Sequence, residues 1–117
     1  MAKRAARPIL EDMLAYAEEA CAILEQRDGA ALRADRIRLL PVTRALELIG
    51  EAATRLPNDV VGAISFDVRP AIAMRHRLIH GYDTASADII AKTVREDLPP
   101  FMAALRDALA GPLPDGS

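Results

Sequence analysis

Apolar residues recur at intervals of three and four along most of the chain, and this spacing constrains the fold more than any other feature. A 3.6-residue repeat places such residues on one face of a helix, whereas a half-buried strand alternates at every second residue. No stretch shows that alternation. Trp is absent and Tyr and Phe number two each, so Leu, Ile, Val, Met and Ala must build the core. The sequence therefore predicts an all-α fold.

Four long segments carry this repeat, and capping and breaking residues set their expected limits. Pro8 suits the first turn of the first helix, and Asp28-Gly29 is expected to end it. Asp67 is a candidate cap for the third helix and Gly81 a candidate stop. The helices are expected at 8–27, 35–56, from about 68 to 81, and 87–110 with Thr84 or Ser86 as cap, and a short helical turn is expected at 60–64. We expect them to form an antiparallel bundle.

Prolines and one glycine lie inside the expected helices and require a structural reason. Pro41 lies in the second helix and Pro99-Pro100 in the last. Each is expected to kink or divide its helix, because proline lacks the N–H and clashes with the preceding turn. Gly50 costs about 1 kcal/mol in helix propensity, so we expect a close helix–helix contact there.

Length, charge and cysteine content limit the class of protein. The 117 residues fit one domain, expected over 1–110, with a disordered Pro- and Gly-rich tail over 111–117. A net charge of -2 excludes a generally basic surface but not a local basic patch. The single cysteine, Cys21, lies on the apolar stripe of the first helix and is expected in the core rather than as a nucleophile. No apolar run approaches the ~20 residues of a bilayer span and no secretory signal is evident, so a cytoplasmic protein is expected.

Titratable groups are concentrated in one segment, residues 75–83, which reads RHRLIHGYD. It holds both histidines of the chain and one of its two tyrosines, and Arg69 lies shortly before it. His76 and His80 are four residues apart and share a helix face. Arg75 and His80 are five apart, about 140° around an ideal helix. These two side chains converge only if the helix ends or loosens near His80, or if two copies of the helix face each other.

This combination of side chains suits chemistry on a phosphodiester. An imidazole moves protons near neutral pH, and a guanidinium holds phosphate oxygens in a fixed fork. RNA supplies its own nucleophile, the 2′-hydroxyl. The protein then has to supply only acid–base help and charge stabilisation.

Two other interpretations of the same residues remain open at this point. Arg75 and His80 could cap the helix by bonding its last carbonyls. His76 and His80 have the spacing of two metal ligands, with Asp83 as a third. However, the Glu of the zincin motif is missing and no further His exists, so no metal and no cofactor are expected.

Two glutamates of the second helix, Glu47 and Glu51, lie one helical turn apart. Arg44 and Arg55 lie three or four residues from them, which is the spacing of ion pairs on a helix surface. We expect a solvated face, with pairing to Arg44 or Arg55 as the alternative, and no carboxylate dyad.

One motif consists of Arg75, then His80 after four intervening residues, then Tyr82 after one more intervening residue. It resembles the signature of the HepT-like branch of the HEPN ribonuclease superfamily. The polar residue after the Arg also fits, although His76 stands where many relatives carry Asn. Residues 44–53 resemble the family's second helix and residues 88–99 its last, so the resemblance spans about 36–109. Such a combination is specific, whereas the Arg and His alone would be a weak signal.

The resemblance implies an all-α HEPN-type bundle of four or five helices that acts as a homodimeric, metal-independent endoribonuclease toxin. Arg75 and His80 would be catalytic in a cleft shared by two copies. It also implies a partner, an MntA-like nucleotidyltransferase antitoxin that attaches AMP to Tyr82. An adenylate there would add bulk and phosphate charge at the mouth of a cationic cleft. His76, Arg77 and Arg69 are expected as accessory or RNA-contacting residues.

A different class of function also fits these residues. The chain could be a non-catalytic helical dimer that binds nucleotide or RNA and docks the nucleotidyltransferase. A plain structural adaptor is a third possibility. RNA cleavage by the protein alone distinguishes the enzyme from both. Transfer RNA and messenger RNA are equally open as substrates, since no base-reading aromatic platform is visible.

Overall fold

The structure, a computed structural model, describes residues 5–80 and 86–117. Within these ranges it contains no strand, and a π-helical turn, Thr93–Asp97, joins the last two helices. The α-helices are α1 (Ala6–Leu24), α2 (Gly29–Arg33), α3 (Arg36–Ala53), α4 (Asn58–Ala63), α5 (Arg69–His80), α6 (Ala87–Lys92) and α7 (Leu98–Leu109). The expected all-α fold is confirmed. None of the described helices is long and apolar enough to cross a membrane.

Helix α1 packs against α3 and against α7 with the π-helical turn that precedes it. Arg38, at the start of α3, donates a hydrogen bond of 3.0 Å to the carbonyl of Ile23 near the end of α1. Arg7, at the start of α1, donates one of 2.8 Å to the carbonyl of Leu109 at the end of α7. Both partners therefore run antiparallel to α1. The core between them is aliphatic, and its largest fully buried side chains are Ile9, Leu10, Met13, Leu24, Leu32, Leu105, Val42, Val60 and Val94.

The first connection differs from the one expected. Helix α1 ends at Leu24 because Glu25 takes a left-handed backbone conformation, with φ of 56°. Asp28 was expected to stop this helix. Instead its carboxylate accepts a hydrogen bond of 2.8 Å from the backbone N–H of Ala31 and caps the short helix α2, which the periodicity did not reveal.

The prolines act differently in the two helices that contain them. Helix α3 continues through Pro41, whose side chain is exposed. The expected last helix is divided into α6, the π-helical turn and α7, with Pro99 and Pro100 in the first turn of α7. Proline is tolerated in the first turn of a helix, because the backbone N–H groups of that turn have no intrahelical acceptor. Ser86 is confirmed as the cap of α6, since its hydroxyl accepts a hydrogen bond of 3.2 Å from the N–H of Ile89.

Residues 111–117 lie against the start of α1. Arg7 donates a hydrogen bond of 2.7 Å to the carbonyl of Gly111, and Asp115 accepts one of 2.7 Å from the N–H of Ala6. Leu113 is 7% exposed and joins the core. Disorder of this segment in solution, and the domain limit at residue 110, stay predictions from composition.

Gly50 sets the distance between α3 and α5. A Cβ atom added to Gly50 would lie 2.5 Å from the carbonyl oxygen of Ala71 and 2.5 Å from Cβ of Arg75. Only a residue without a side chain permits this approach. The expected close helix–helix contact at Gly50 is therefore confirmed, and it places the middle of α5 directly against α3.

The direction of α5 follows from the reach of the chain. Helix α6 begins beside α2, where Arg33 and Asp88 form an ion pair of 3.0 Å, close to the start of α3. The six peptide units from His80 to Ser86 span at most about 20 Å. If α5 ran parallel to α3, its end would lie about 30 Å from the start of α3. Helix α5 is therefore antiparallel to α3, and its carboxyl end points toward the start of α3.

We predict that Gly50→Ala lowers the free energy of unfolding by about 1–3 kcal/mol, because the new methyl group overlaps backbone and α5 must shift. Gly62→Ala in α4 is the matched control. Nothing lies within 4 Å of its added Cβ, so it should raise stability by about 0.4–1 kcal/mol. Urea unfolding of both variants tests this. Equal effects of the two substitutions would contradict the proposed close contact.

Candidate functional site on helix α5

Helix α5 carries five of the six residues that the sequence singled out: Arg69, Arg75, His76, Arg77 and His80. The sixth, Tyr82, lies outside the described residues, as does Gly81, the expected stop. The catalytic, RNA-contacting and modification roles of all six stay predictions.

The start of α5 is set by local hydrogen bonds. The carbonyl of Val68 accepts the N–H groups of Ala71 and Ile72 and so begins the helix. Asp67, the expected cap, accepts the backbone N–H of Arg69 at 2.9 Å. Leu78 is buried and anchors the other half of the helix.

Arg69 is held at the start of α5 by Asp67. Its guanidinium donates hydrogen bonds of 3.0 Å from Nε and 2.8 Å from Nη2 to the Asp67 carboxylate. These bonds lower the pKa of the Asp67 carboxyl and raise the pKa of Arg69. Because eleven residues of helix separate Arg69 from His80 by about 16 Å, the structure does not bring these two side chains together.

Arg75 lies at the seam between α5 and α3, beside Gly50. Its side chain is half-buried, and its Nε is buried with no hydrogen-bond partner among the described residues. A buried donor without an acceptor costs free energy, and natural proteins rarely leave one unused. The Nε of Arg75 is therefore a donor that no described residue satisfies.

His76 and His80 are the two side chains that α5 does bring together. Their ring centroids lie 5.5 Å apart, and the ring planes are inclined by 31°. Both residues are exposed. Within residues 5–80 and 86–117 no hydrogen bond or ion pair occupies either imidazole, so their nitrogens remain free to contact a ligand.

Arg75 and His80 do not meet within one chain. Helix α5 remains helical as far as His80, so the two side chains keep their separation of about 140°. Neither donates a hydrogen bond to a helix carbonyl in the described ranges, so the capping arrangement that the sequence left open is not observed. Of the two ways in which they could converge, the first is not seen in the described residues, because α5 neither ends nor loosens before His80.

The outer face of α3 carries the ion pairs that the spacing predicted. Arg44 and Glu47 lie 3.2 Å apart, and Arg55 and Glu51 lie 2.9 Å apart. The glutamates are thus paired with arginines, which was the alternative to a solvated face, and they do not form a dyad.

The sequence analysis missed an apolar surface near this face. Ile37 and Leu40 in α3 are 87% and 53% exposed, and Ile79 in α5 is 40% exposed. The available signal was the spacing of Ile37, Leu40 and Pro41, which lie on the opposite side of α3 from its buried stripe. Exposed large apolar residues that share a surface mark an interaction site more often than singly scattered ones do.

A cleft of about 420 Å³ lies between α3, α5 and the π-helical turn; its walls are mainly apolar and include Leu46, Met74 and Phe101. In the described ranges no group of three or more His, Cys, Asp or Glu side chains is placed to hold a metal ion. Cys21 is half-buried against the core, and burial raises the pKa of its thiol, as suits a packing residue.

Similarity to known proteins identifies the family of this chain. The family model described as "Ribonuclease HepT-like" matches residues 13–108. A probable ribonuclease HepT from Thermococcus cleftensis is 39% identical over 66 residues, which cover 56% of this chain and 60% of that protein. A putative RNase, MJ1380, from Methanocaldococcus jannaschii is 29% identical over 100 residues, which cover 85% of this chain and 92% of that one. No solved structure matches at a significant level. Since the family model covers most of the chain, including all of α5, the chain belongs to the HepT-like ribonuclease family.

Proposed function

We propose that this protein is a metal-independent endoribonuclease toxin that cleaves RNA in a cleft between two copies of the chain. One observation carries the proposal: within a helix matched by a ribonuclease family model, α5 presents two unoccupied imidazoles and one guanidinium with an unused buried donor. These are the groups that proton transfer and phosphate binding require.

The proposed mechanism uses the 2′-hydroxyl of RNA as the nucleophile. Arg75 binds the scissile phosphate and stabilises the charge that develops on its oxygens. His80 accepts the proton of the 2′-hydroxyl or donates one to the leaving 5′-oxygen. The products then carry a 2′,3′-cyclic phosphate and a 5′-hydroxyl. Exposed Arg77 and Arg69 add positive charge along the helix for RNA binding.

A second copy of the chain completes the proposed site. Arg75 and His80 point about 140° apart on one helix, so a guanidinium and an imidazole converge only when two helices face each other. The apolar side chains of Ile37, Leu40 and Ile79, exposed on α3 and α5, support such an interface. Helix-to-helix contact there would bury apolar surface and place two α5 helices close together.

Regulation is proposed to act at Tyr82, two residues beyond His80. An MntA-like nucleotidyltransferase antitoxin would transfer AMP to its hydroxyl. The added phosphate would bring negative charge two residues from His80 in sequence and would compete with the RNA backbone for positively charged groups. This pairing makes the protein the toxin of a toxin–antitoxin system, acting on RNA in the cytoplasm.

The first test is cleavage of total cellular RNA by the purified, unmodified protein in excess chelator. We expect cleavage by the wild type, and losses of about 10²-fold or more in rate for Arg75→Ala and His80→Ala. Arg106→Ala, an exposed arginine on α7 that pairs with Glu18 at 3.8 Å, is the matched control and should cleave normally. If the folded, unmodified dimer cuts nothing, the non-catalytic binding function replaces the enzyme.

The second test concerns the dimer. Leu40→Asp should convert a two-chain species to single chains, because a carboxylate cannot be buried at an apolar interface without a partner. Val61→Asp on α4, where the side chain is 37% exposed, is the control and should remain dimeric. Light scattering coupled to size exclusion measures the mass. A wild type of one chain at all concentrations would contradict the shared cleft.

The third test concerns Tyr82. Incubation with ATP and a purified MntA-like nucleotidyltransferase should add one AMP group and abolish RNA cleavage. Tyr82→Phe should remain unmodified and active, whereas Tyr16→Phe, which removes the half-buried tyrosine of α1, should still be modified. Intact mass and peptide mapping measure the transfer. AMP found only at another residue would contradict the proposed regulation.

A further inference from the structure

We infer that His76 is a second catalytic residue and that it exchanges protons with the substrate together with His80 of the same chain. The inference rests on the proposed function and deepens it. The sequence motif assigns the chemistry to Arg75 and His80, but these two side chains lie on different sides of α5. The two groups that one chain brings together are the imidazoles.

The geometry of the pair suits the two ends of a phosphoryl transfer. In an in-line displacement the attacking 2′-oxygen and the leaving 5′-oxygen lie on opposite sides of phosphorus. Each needs a proton-transfer group within about 2.6–3.2 Å. Two rings with centroids 5.5 Å apart on one exposed face of a helix lie within reach of the same phosphate. A phosphate in front of both rings can therefore contact one ring at each of these oxygens.

The surroundings of the pair leave it available for this role. Both side chains are exposed, and no described residue forms a hydrogen bond or ion pair with either ring. A histidine kept for structure is usually buried or bonded to a partner, and neither holds here. The charged residues on the same helix are Arg69, Arg75 and Arg77, and on α3 Arg44 and Glu47 are paired with each other.

The reaction balances with one neutral and one protonated imidazole. The neutral ring removes the proton of the 2′-hydroxyl, and the 2′-oxygen forms a bond to phosphorus. The bond from phosphorus to the 5′-oxygen breaks, and that oxygen takes a proton from the protonated ring. The pair ends with the two protonation states exchanged, and no metal or co-reactant is consumed. The partner's Arg75 needs only to bind the phosphate.

Replacement of each histidine by Asn tests the pair. We expect His76→Asn and His80→Asn each to lower kcat by about 10²-fold or more on an RNA oligonucleotide that the wild type cuts at one linkage. The wild type should show a bell-shaped dependence of kcat on pH, and each variant should lose one limb. A His76→Asn protein with wild-type kcat and pH profile would overturn the inference while leaving the proposed function intact.

A substrate with a 5′-thio leaving group at the same linkage separates the two roles, because a thiolate departs without protonation. Exactly one variant should regain activity on it, and that variant identifies the histidine that acts as the acid. If both variants regained activity, or neither did, the assignment of one histidine as the acid and the other as the base would be overturned. Ala73→Asn, an exposed substitution one turn before His76, is the matched control and should behave as the wild type in both assays.

Mixing the two Asn variants tests whether the pair acts within one chain. Each mixed dimer then holds no chain with both imidazoles, so activity should stay at the level of the single variants. Restored activity would show that the histidines act across the interface and would overturn the inference. Absence of cleavage by the wild type would be a separate result, which overturns the proposed function and this inference with it.

Discussion

The contact between α3 and α5 at Gly50 is the constraint on which the rest of the candidate site depends. Because no side chain separates the helices there, the backbone of Ala71 and the Cβ of Arg75 lie directly on α3. The buried Leu78 then fixes the rotation of α5 one turn further along. Because one face of α5 packs against α3, both histidines on the other side project into solvent. A side chain at position 50 would move all the chemical groups of α5 at once.

Because α5 is a regular helix, one part of the proposed chemistry depends on a single chain and the other part on two chains. Residues four apart meet on a helix surface, so His76 and His80 form a pair without help from any other element. Residues five apart project about 140° apart, so under the proposed function a second chain is needed to combine Arg75 with an imidazole. The exposed apolar residues of α3 and α5 provide surface for that second chain. In the proposed mechanism one chain would supply the proton-transfer pair, and the dimer would supply its combination with the guanidinium.

Features that depend on neighbours in sequence were predicted well. The cap at Ser86 and the ion pairs of Glu47 and Glu51 follow from spacings of three and four residues, which helix geometry alone determines. The connection after α1 was predicted poorly, because a capping residue such as Asp28 can end one helix or begin the next. The choice was made by Glu25, whose left-handed backbone conformation has no signature in its residue type.

The sequence by itself determined the all-α fold, the placement of the titratable residues on one helix and the family, because helical periodicity and motif spacing are local properties. Tertiary structure decided which way each group on that helix faces. The seam at Gly50 turned Arg75 inward and left its Nε without a partner, and it turned both imidazoles outward. Residue order cannot specify this outcome, since it depends on which face of α5 packs against a helix about twenty residues earlier in the chain.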